Sequence, residues 1–384
     1  MDFSSALMEI RTANLYRSLK TLETAPGRTA VLDGKEVLLF SSNSYLGLAK
    51  APDIISKAKE AMDAYGTGSG GSRLTTGNMP LHMELEKTLA SFKGTQACLV
   101  FTSGYTANLG ALTALADAES VIFSDVLNHA SIIDGCRLAK AKTVVYAHND
   151  PDDLLAKIRE TRPKKGIIVT DSVFSMDGDL AKLPELARIK KEYGLLLMVD
   201  DAHATGVLGA SGRGSLEHFG LQNQSVDILM GTLSKAIPSE GGFICGSEEL
   251  CDYLKNSARS FIYTTALSPG TVAAATAAVE HICKHPELVR RLQDNVRYFS
   301  KCLNELGIRA SDRTPIFPVI IGEEDKALCN SGKLLERGVF VPCIRYPTVA
   351  KGTARLRFTL MATHTREDMD YAVSCLKSIC AKIC

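Results

Sequence analysis

Short apolar runs rich in β-branched residues recur through the first two thirds of the chain: 97–101, 120–123, 143–146, 167–170, 195–199 and 228–230. Each is too short for a core helix, and each is apolar on both alternating faces, the pattern of a strand covered on two sides. Longer segments with helical spacing separate them. Strand–helix alternation of this kind predicts an α/β fold with a mostly parallel sheet covered by helices. Residues 242–245 read as one more strand, entered through a glycine pair, which makes seven.

After Pro269 the pattern changes. Residues 271–281 form an alanine-rich helical stretch, predicted to continue through Pro286 to 306 and to link two domains. Beyond it, 315–321, 339–341 and 355–360 read as strands and 366–383 as a closing helix, which suggests a smaller C-terminal α/β domain. The first 40 residues carry weak strand signals at 30–32 and 37–40. The predicted division is an arm over 1–45 packing with the small domain, a large domain over 46–270 and the small domain over 271–384. No repeat or low-complexity segment interrupts it.

With 384 residues, 45% of them hydrophobic, the chain can build both cores. Its 44 basic and 43 acidic residues leave a formal charge of +1, so no global field favours nucleic acid or an anionic membrane. No apolar stretch approaches the roughly 20 residues that span a bilayer. Residues 1–11 lack the apolar core of a signal peptide, so the cytoplasm is the expected address. The 11 cysteines are scattered without a Cys-x-x-Cys pair, consistent with free thiols in a reducing compartment. No metal site is expected, because clustered Cys or His ligands are missing.

The chemistry collects where the strands end. In such sheets ligands sit beyond the carboxyl ends of the strands, and Ser103-Gly104-Tyr105, Asp125, Asp171, Asp200 and Lys235 all fall there. Asp200 closes one apolar run, and Lys235 follows the next. A lysine there can form an imine with an aldehyde cofactor, and a neighbouring carboxylate can keep a pyridine nitrogen protonated. That is the pattern of a pyridoxal phosphate enzyme.

Gly66-Thr67-Gly68-Ser69-Gly70-Gly71 formally matches a dinucleotide fingerprint. The helical character of 55–65 before it argues against a Rossmann reading. The better phosphate candidate is 101–106, where a strand ends in a small polar turn and a helix opens. His129 stands in a loop near a strand end, where an aromatic ring could stack on a pyridine. His203, three residues after Asp200, could reach the cofactor's phenolic oxygen or the substrate. Arg355 and Arg357 share one face of a predicted strand, and one of them could clamp a carboxylate.

The segments that carry a resemblance are 41–48 (SSNSYLGL), 66–76 (GTGSGGSRLTT), 127–135 (LNHASIIDG), 173–178 (VFSMDG), 200–206 (DDAHATG), 231–236 (GTLSKA) and 347–357 (PTVAKGTARLR). Through these the chain resembles the α-oxoamine synthases, a group of fold-type I enzymes dependent on pyridoxal 5'-phosphate. The resemblance implies a fold-type I transferase whose large domain holds the seven-stranded sheet, and a homodimer. It implies Lys235 as the imine lysine, Asp200 as partner of the ring nitrogen, His129 as the stacking ring and His203 beside the phenolic oxygen. Gly104 and Tyr105 are implied on the phosphate side, with Ser175 and Thr232 as further cofactor contacts. Arg17 and His129 would meet substrate, Thr348 would line the substrate site, and Arg357 would hold the amino-acid carboxylate.

The implied reaction is a decarboxylative condensation of L-alanine with a pimeloyl thioester, carried by coenzyme A or a carrier protein, in biotin synthesis. Glycine with acetyl-CoA is the alternative pair. Neither nucleic acid nor membrane is an expected partner.

Overall fold

The computed structural model describes residues 2–13 and 15–380. In chain order the strands are β1 (Thr29–Leu32), β2 (Lys35–Leu39), β3 (Ala97–Phe101), β4 (Val121–Asp125), β5 (Lys142–Tyr146), β6 (Gly166–Asp171) and β7 (Leu196–Asp200). They continue with β8 (Ile228–Thr232), β9 (Gly242–Gly246), β10 (Ile316–Gly322), β11 (Val339–Phe340), β12 (Cys343–Ile344) and β13 (Ala354–Thr359). Every apolar run singled out in the sequence overlaps one of these strands, with ends that differ by a residue in several cases. The two-residue β12 carries too little pattern to be seen in advance.

The chain divides into two compact units. One gathers Met1–Gly47, Met176–Gly178 and Leu292–Cys384; the other holds Leu48–Ser175 and Asp179–Arg291. The second unit is built on a seven-stranded sheet of order β3-β9-β8-β7-β6-β4-β5. All neighbours are parallel except β9, which runs antiparallel to both β3 and β8. Strands β4, β6 and β8 are buried at every position, as strands covered on both faces must be. The edge strand β5 is mostly exposed and begins with Lys142, a charge that discourages pairing with another chain. Under the sheet, Leu99, Phe101, Ile122, Val169, Met198 and Ile244 pack with Leu112 and Ile132 from the covering helices.

The helix Pro269–Lys284 departs from its expected place as a linker opening the C-terminal domain. It packs on the helices Pro52–Tyr65 and Pro80–Lys93 and belongs to the second unit. Its small face explains this: Val272, Ala275, Ala278, Val279 and Ile282 are fully buried and let three helices approach closely. The helix also does not run through Pro286. It stops at Lys284 and a new one begins at Glu287, because proline lacks the amide hydrogen and disfavours helical backbone before it.

In the first unit, β1, β2 and β11 form one small sheet and β10, β13 and β12 another. Strand β11 pairs parallel to β2, Val339 opposite Leu38, so the N-terminal arm and the C-terminal segment share a sheet. Phe40 anchors the core of this unit. Its ring lies 5.9 Å from those of Phe299 and Phe358 and stacks at 4.4 Å on His364, whose Nε2 meets the Leu39 carbonyl at 3.1 Å. The closing helix is Arg366–Cys380; the expected residues 381–383 lie outside the described residues. Among the described residues no helix is long and apolar enough to cross a membrane.

Candidate active site

In the second unit the carboxyl ends of β4, β6, β7 and β8 deliver Asp125, Asp171, Asp200 and Thr232, and Gly104 opens a helix after β3. Asp200 is buried, and the register sets it opposite Asp171 on β6. Its Oδ1 accepts the Ala202 N–H at 2.8 Å and its Oδ2 accepts from Asn108 Nδ2 at 2.8 Å. Both donors are neutral, and Asp200 joins no ion pair among the described residues. The next residue, Asp201, is paired instead with Lys93, Oδ2 to Nζ at 2.9 Å.

Lys235 follows β8 by three residues, and its Nζ lies 2.9 Å from His203 Nε2. The turn is held by the Thr232 hydroxyl, which donates to the Gly241 carbonyl at 3.0 Å and lies 2.9 Å from Ser234 Oγ.

His129 caps the helix Ala130–Leu138, its Nδ1 accepting the Ser131 N–H at 3.2 Å. The His129 main-chain N–H donates to Asp171 Oδ2 at 2.7 Å. Burial lowers the His129 pKa; Asp200 pulls the other way and Lys235 adds to the fall, so the ring is neutral at pH 7. Burial, with the charge of Asp200 beside it, holds the Asp171 pKa well above the usual carboxylate range.

The start of the helix Gly104–Leu115 is tightly seated. Ser103 caps it, its Oγ accepting from Thr106 N at 3.1 Å. A Cβ on Gly104 would come 2.9 Å from Met230 Cε, and one on Gly242 would come 2.5 Å from both Gly104 N and Gly104 Cα. Glycine at both places lets this backbone corner form. Tyr105 is partly exposed and its hydroxyl bonds the Asp134 carboxylate. Ser175 lies on the turn closed by the bridge between Val173 and Leu180.

The remaining sequence candidates lie in the first unit. Arg17 Nη2 reaches Thr348 Oγ1 at 3.4 Å, so these two are brought together. Arg355 is occupied by Asp177, 2.5 Å away, and by the Met176 carbonyl at 3.2 Å. Arg357 donates to Asn43 Oδ1 at 3.2 Å and Thr359 Oγ1 at 3.3 Å, with the buried Tyr45 beside it. Desolvation pushes the Tyr45 pKa up to about 12, against the pull of Arg357.

Sequence reasoning assigned no role to Asn108, or to Ser131, Asn43 and Tyr45, although the last three lie in segments that carry the resemblance. Asn108 left one usable signal: an amide on the otherwise small and apolar buried face made by Ala107, Gly110, Ala111 and Leu112 must find partners.

Residues 35–376 match the family described as aminotransferase class I and II. The chain belongs to that family. A Desulfovibrio desulfuricans protein is 62% identical over 382 residues, 100% of both chains, and carries the name 8-amino-7-oxononanoate synthase provisionally. The 8-amino-7-oxononanoate synthase of Thermoanaerobacter pseudethanolicus is 48% identical, covering 99% of this chain and 97% of its own. Among solved structures, serine palmitoyltransferase from Sphingomonas wittichii superposes with a TM-score of 0.93 at 30% identity, covering 99% and 97%. The 8-amino-7-oxononanoate synthase from Francisella tularensis superposes with a TM-score of 0.79 at 30% identity, covering 90% and 98%. These relatives put the chain on the α-oxoamine synthase branch of the family, with the fold-type I architecture of pyridoxal phosphate enzymes.

Proposed function

We propose that the chain is an 8-amino-7-oxononanoate synthase. It would condense L-alanine with a pimeloyl thioester of coenzyme A or a carrier protein, using pyridoxal phosphate, as a homodimer in the cytoplasm. The observation that carries the reading is full-length identity of 62% and 48% to proteins of that name, on a chain that places Lys235, His203, Asp200 and His129 in one unit. The residues fit the cofactor. Asp200 is a buried carboxylate with neutral donors only, an arrangement that favours a cationic ring nitrogen as its counter-charge.

When bound, pyridoxal phosphate supplies an electron sink for the pair left on the amino acid's α-carbon. Lys235 would hold it through its amine, Asp200 would pair with the ring nitrogen, and His129 would cover the ring. Gly104 and Tyr105 would offer backbone N–H groups to the phosphate, with Ser175 and Thr232 nearby. Released from that bond, the Lys235 amine would take the α-proton and later return one, with His203 orienting its Nζ. The thiol leaves as the new carbon–carbon bond forms, and the amino-acid carboxyl departs as carbon dioxide. Arg357 would hold that carboxylate first, since Arg355 is occupied by Asp177. Arg17 and Thr348 would meet the acyl substrate.

The test is release of free thiol and carbon dioxide by the purified protein given L-alanine and pimeloyl-CoA, against glycine and acetyl-CoA. Turnover with the first pair supports the reading. Turnover with the second alone would make the chain a glycine C-acetyltransferase.

A further inference from the structure

Asn108 stands between two groups of the site. Its Nδ2 is 2.8 Å from Asp200 Oδ2 and 2.8 Å from Ser131 Oγ, while its buried Oδ1 has no hydrogen-bond partner. A carboxylate oxygen only accepts, so the amide must turn its NH2 toward Asp200, and the second proton of that nitrogen then points at the Ser131 hydroxyl. The orientation sacrifices an acceptor in order to keep two donors in place. Ser131 Oγ, already accepting, has its own proton to place, and His129 Nδ1 is 2.8 Å away. The Ser131 main-chain N–H converges on the same nitrogen from 3.2 Å. A ring nitrogen that receives a backbone N–H must carry a lone pair.

We propose that Asn108 and Ser131 lock His129 as the neutral tautomer with its proton on Nε2, and that Asn108 thereby ties the ring's orientation to the carboxylate of Asp200. The His129 ring presents an N–H donor at its Nε2 edge. Protonating Nδ1 would set an N–H against the N–H of Ser131 and strip the helix Ala130–Leu138 of its cap. The titratable groups around the ring are Asp171 at its main-chain N–H, Asp200 across Asn108, and Lys235. Asn108 and Ser131 are positioning residues, the two middle links of a chain that runs carboxylate, amide, hydroxyl, imidazole. Only the use of the Nε2 proton, as a donor to the reacting molecule, rests on the function proposed above.

The test reads the ring directly. The holoenzyme is labelled with ring nitrogen-15 histidine, and the His129 signals are assigned by their loss in His129→Gln. The expected spectrum shows an unprotonated Nδ1 and a protonated Nε2, unchanged from about pH 6 to pH 8. A protonated Nδ1, or a charged ring at pH 7, would overturn the proposal. Ser131→Ala removes the hydroxyl but keeps the main-chain N–H on Nδ1, so the Nε2-protonated form should stay the major one while a minor Nδ1-protonated form appears, and kcat should fall about tenfold with KM for the amino acid within about twofold, the effect of one lost hydrogen bond. Ser131→Thr, which keeps the hydroxyl, should restore both readings; equal losses in the two variants would rule out the hydroxyl relay. If the tautomer is as stated and no condensation occurs, the proposed function fails and the relay stands.

Discussion

Lys93 Nζ lies 2.9 Å from Asp201 Oδ2 with side chains 1% and 0% exposed, beside the carboxylate assigned to the cofactor. Lys93 also donates to Thr205 Oγ1 at 3.3 Å and to the Arg213 carbonyl, and Ser215 N donates to Asp201 Oδ2 at 3.1 Å. Together these bonds pin residues 201–215, on which His203 stands. Removing one partner of such a pair leaves a buried charge uncompensated, so Lys93→Met should cost about 3–5 kcal/mol in denaturant unfolding. Lys93→Met combined with Asp201→Asn should recover part of that loss; strictly additive losses would show that the two residues do not act as a pair.

Lys235→Ala should lose covalent attachment of pyridoxal phosphate and at least about a thousandfold in turnover. Borohydride reduction followed by peptide mass spectrometry checks it. The wild type should carry the reduced cofactor on the peptide containing Lys235, and the variant none anywhere.

Gly242→Ala forces a methyl group into the Gly104 backbone, 2.5 Å from its N and Cα. Overpacking against a fixed main chain costs about 1–3 kcal/mol, and here it also displaces the helix start offered to the phosphate. A lower Tm together with weaker binding of pyridoxal phosphate is expected; a fall in Tm with unchanged cofactor affinity would separate that corner from the cofactor site.

His148 is gripped from both sides, Nδ1 to Asp125 Oδ1 at 3.0 Å and Nε2 to Asp179 Oδ2 at 2.9 Å. Burial works against its charge, but the hydrogen bonds to the two carboxylates outweigh it and raise the pKa from 6.5 to about 10. A raised histidine pKa means the folded protein holds the proton more tightly. The stabilisation is therefore complete below pH 6.5 and fades as pH rises to about 10. His148→Gln should lose about 2 kcal/mol at pH 6, and its deficit against wild type should shrink toward pH 10. A deficit that is flat with pH would mean the histidine is neutral in the folded state.

Much of the fold was legible because the sheet is covered on both faces. Continuous apolar runs mark β3 to β9, and the same periodicity sets Asp200 at a strand end and Lys235 just beyond one, where chemistry collects in α/β sheets. The order of those strands, with β9 reversed between β3 and β8, is not written in any run, since apolar strands look alike whichever neighbour they take.

The helix Pro269–Lys284 shows the limit from the other side. Its alanines announce a close-packed helix, but which helices it packs on depends on surfaces some two hundred residues earlier in the chain.

The sequence alone thus determined the strand content, the residues beyond the strand ends and, through its motifs, the resemblance to a family. Only the tertiary structure decided who touches whom. Asn108 meets Asp200 across 92 positions of sequence and Ser131 across 23, and Arg355 is claimed by Asp177 across 178. Local pattern records whether a side chain is apolar and where its element ends. It does not record which distant donor will satisfy a buried acceptor, and in this chain that choice sets the His129 tautomer.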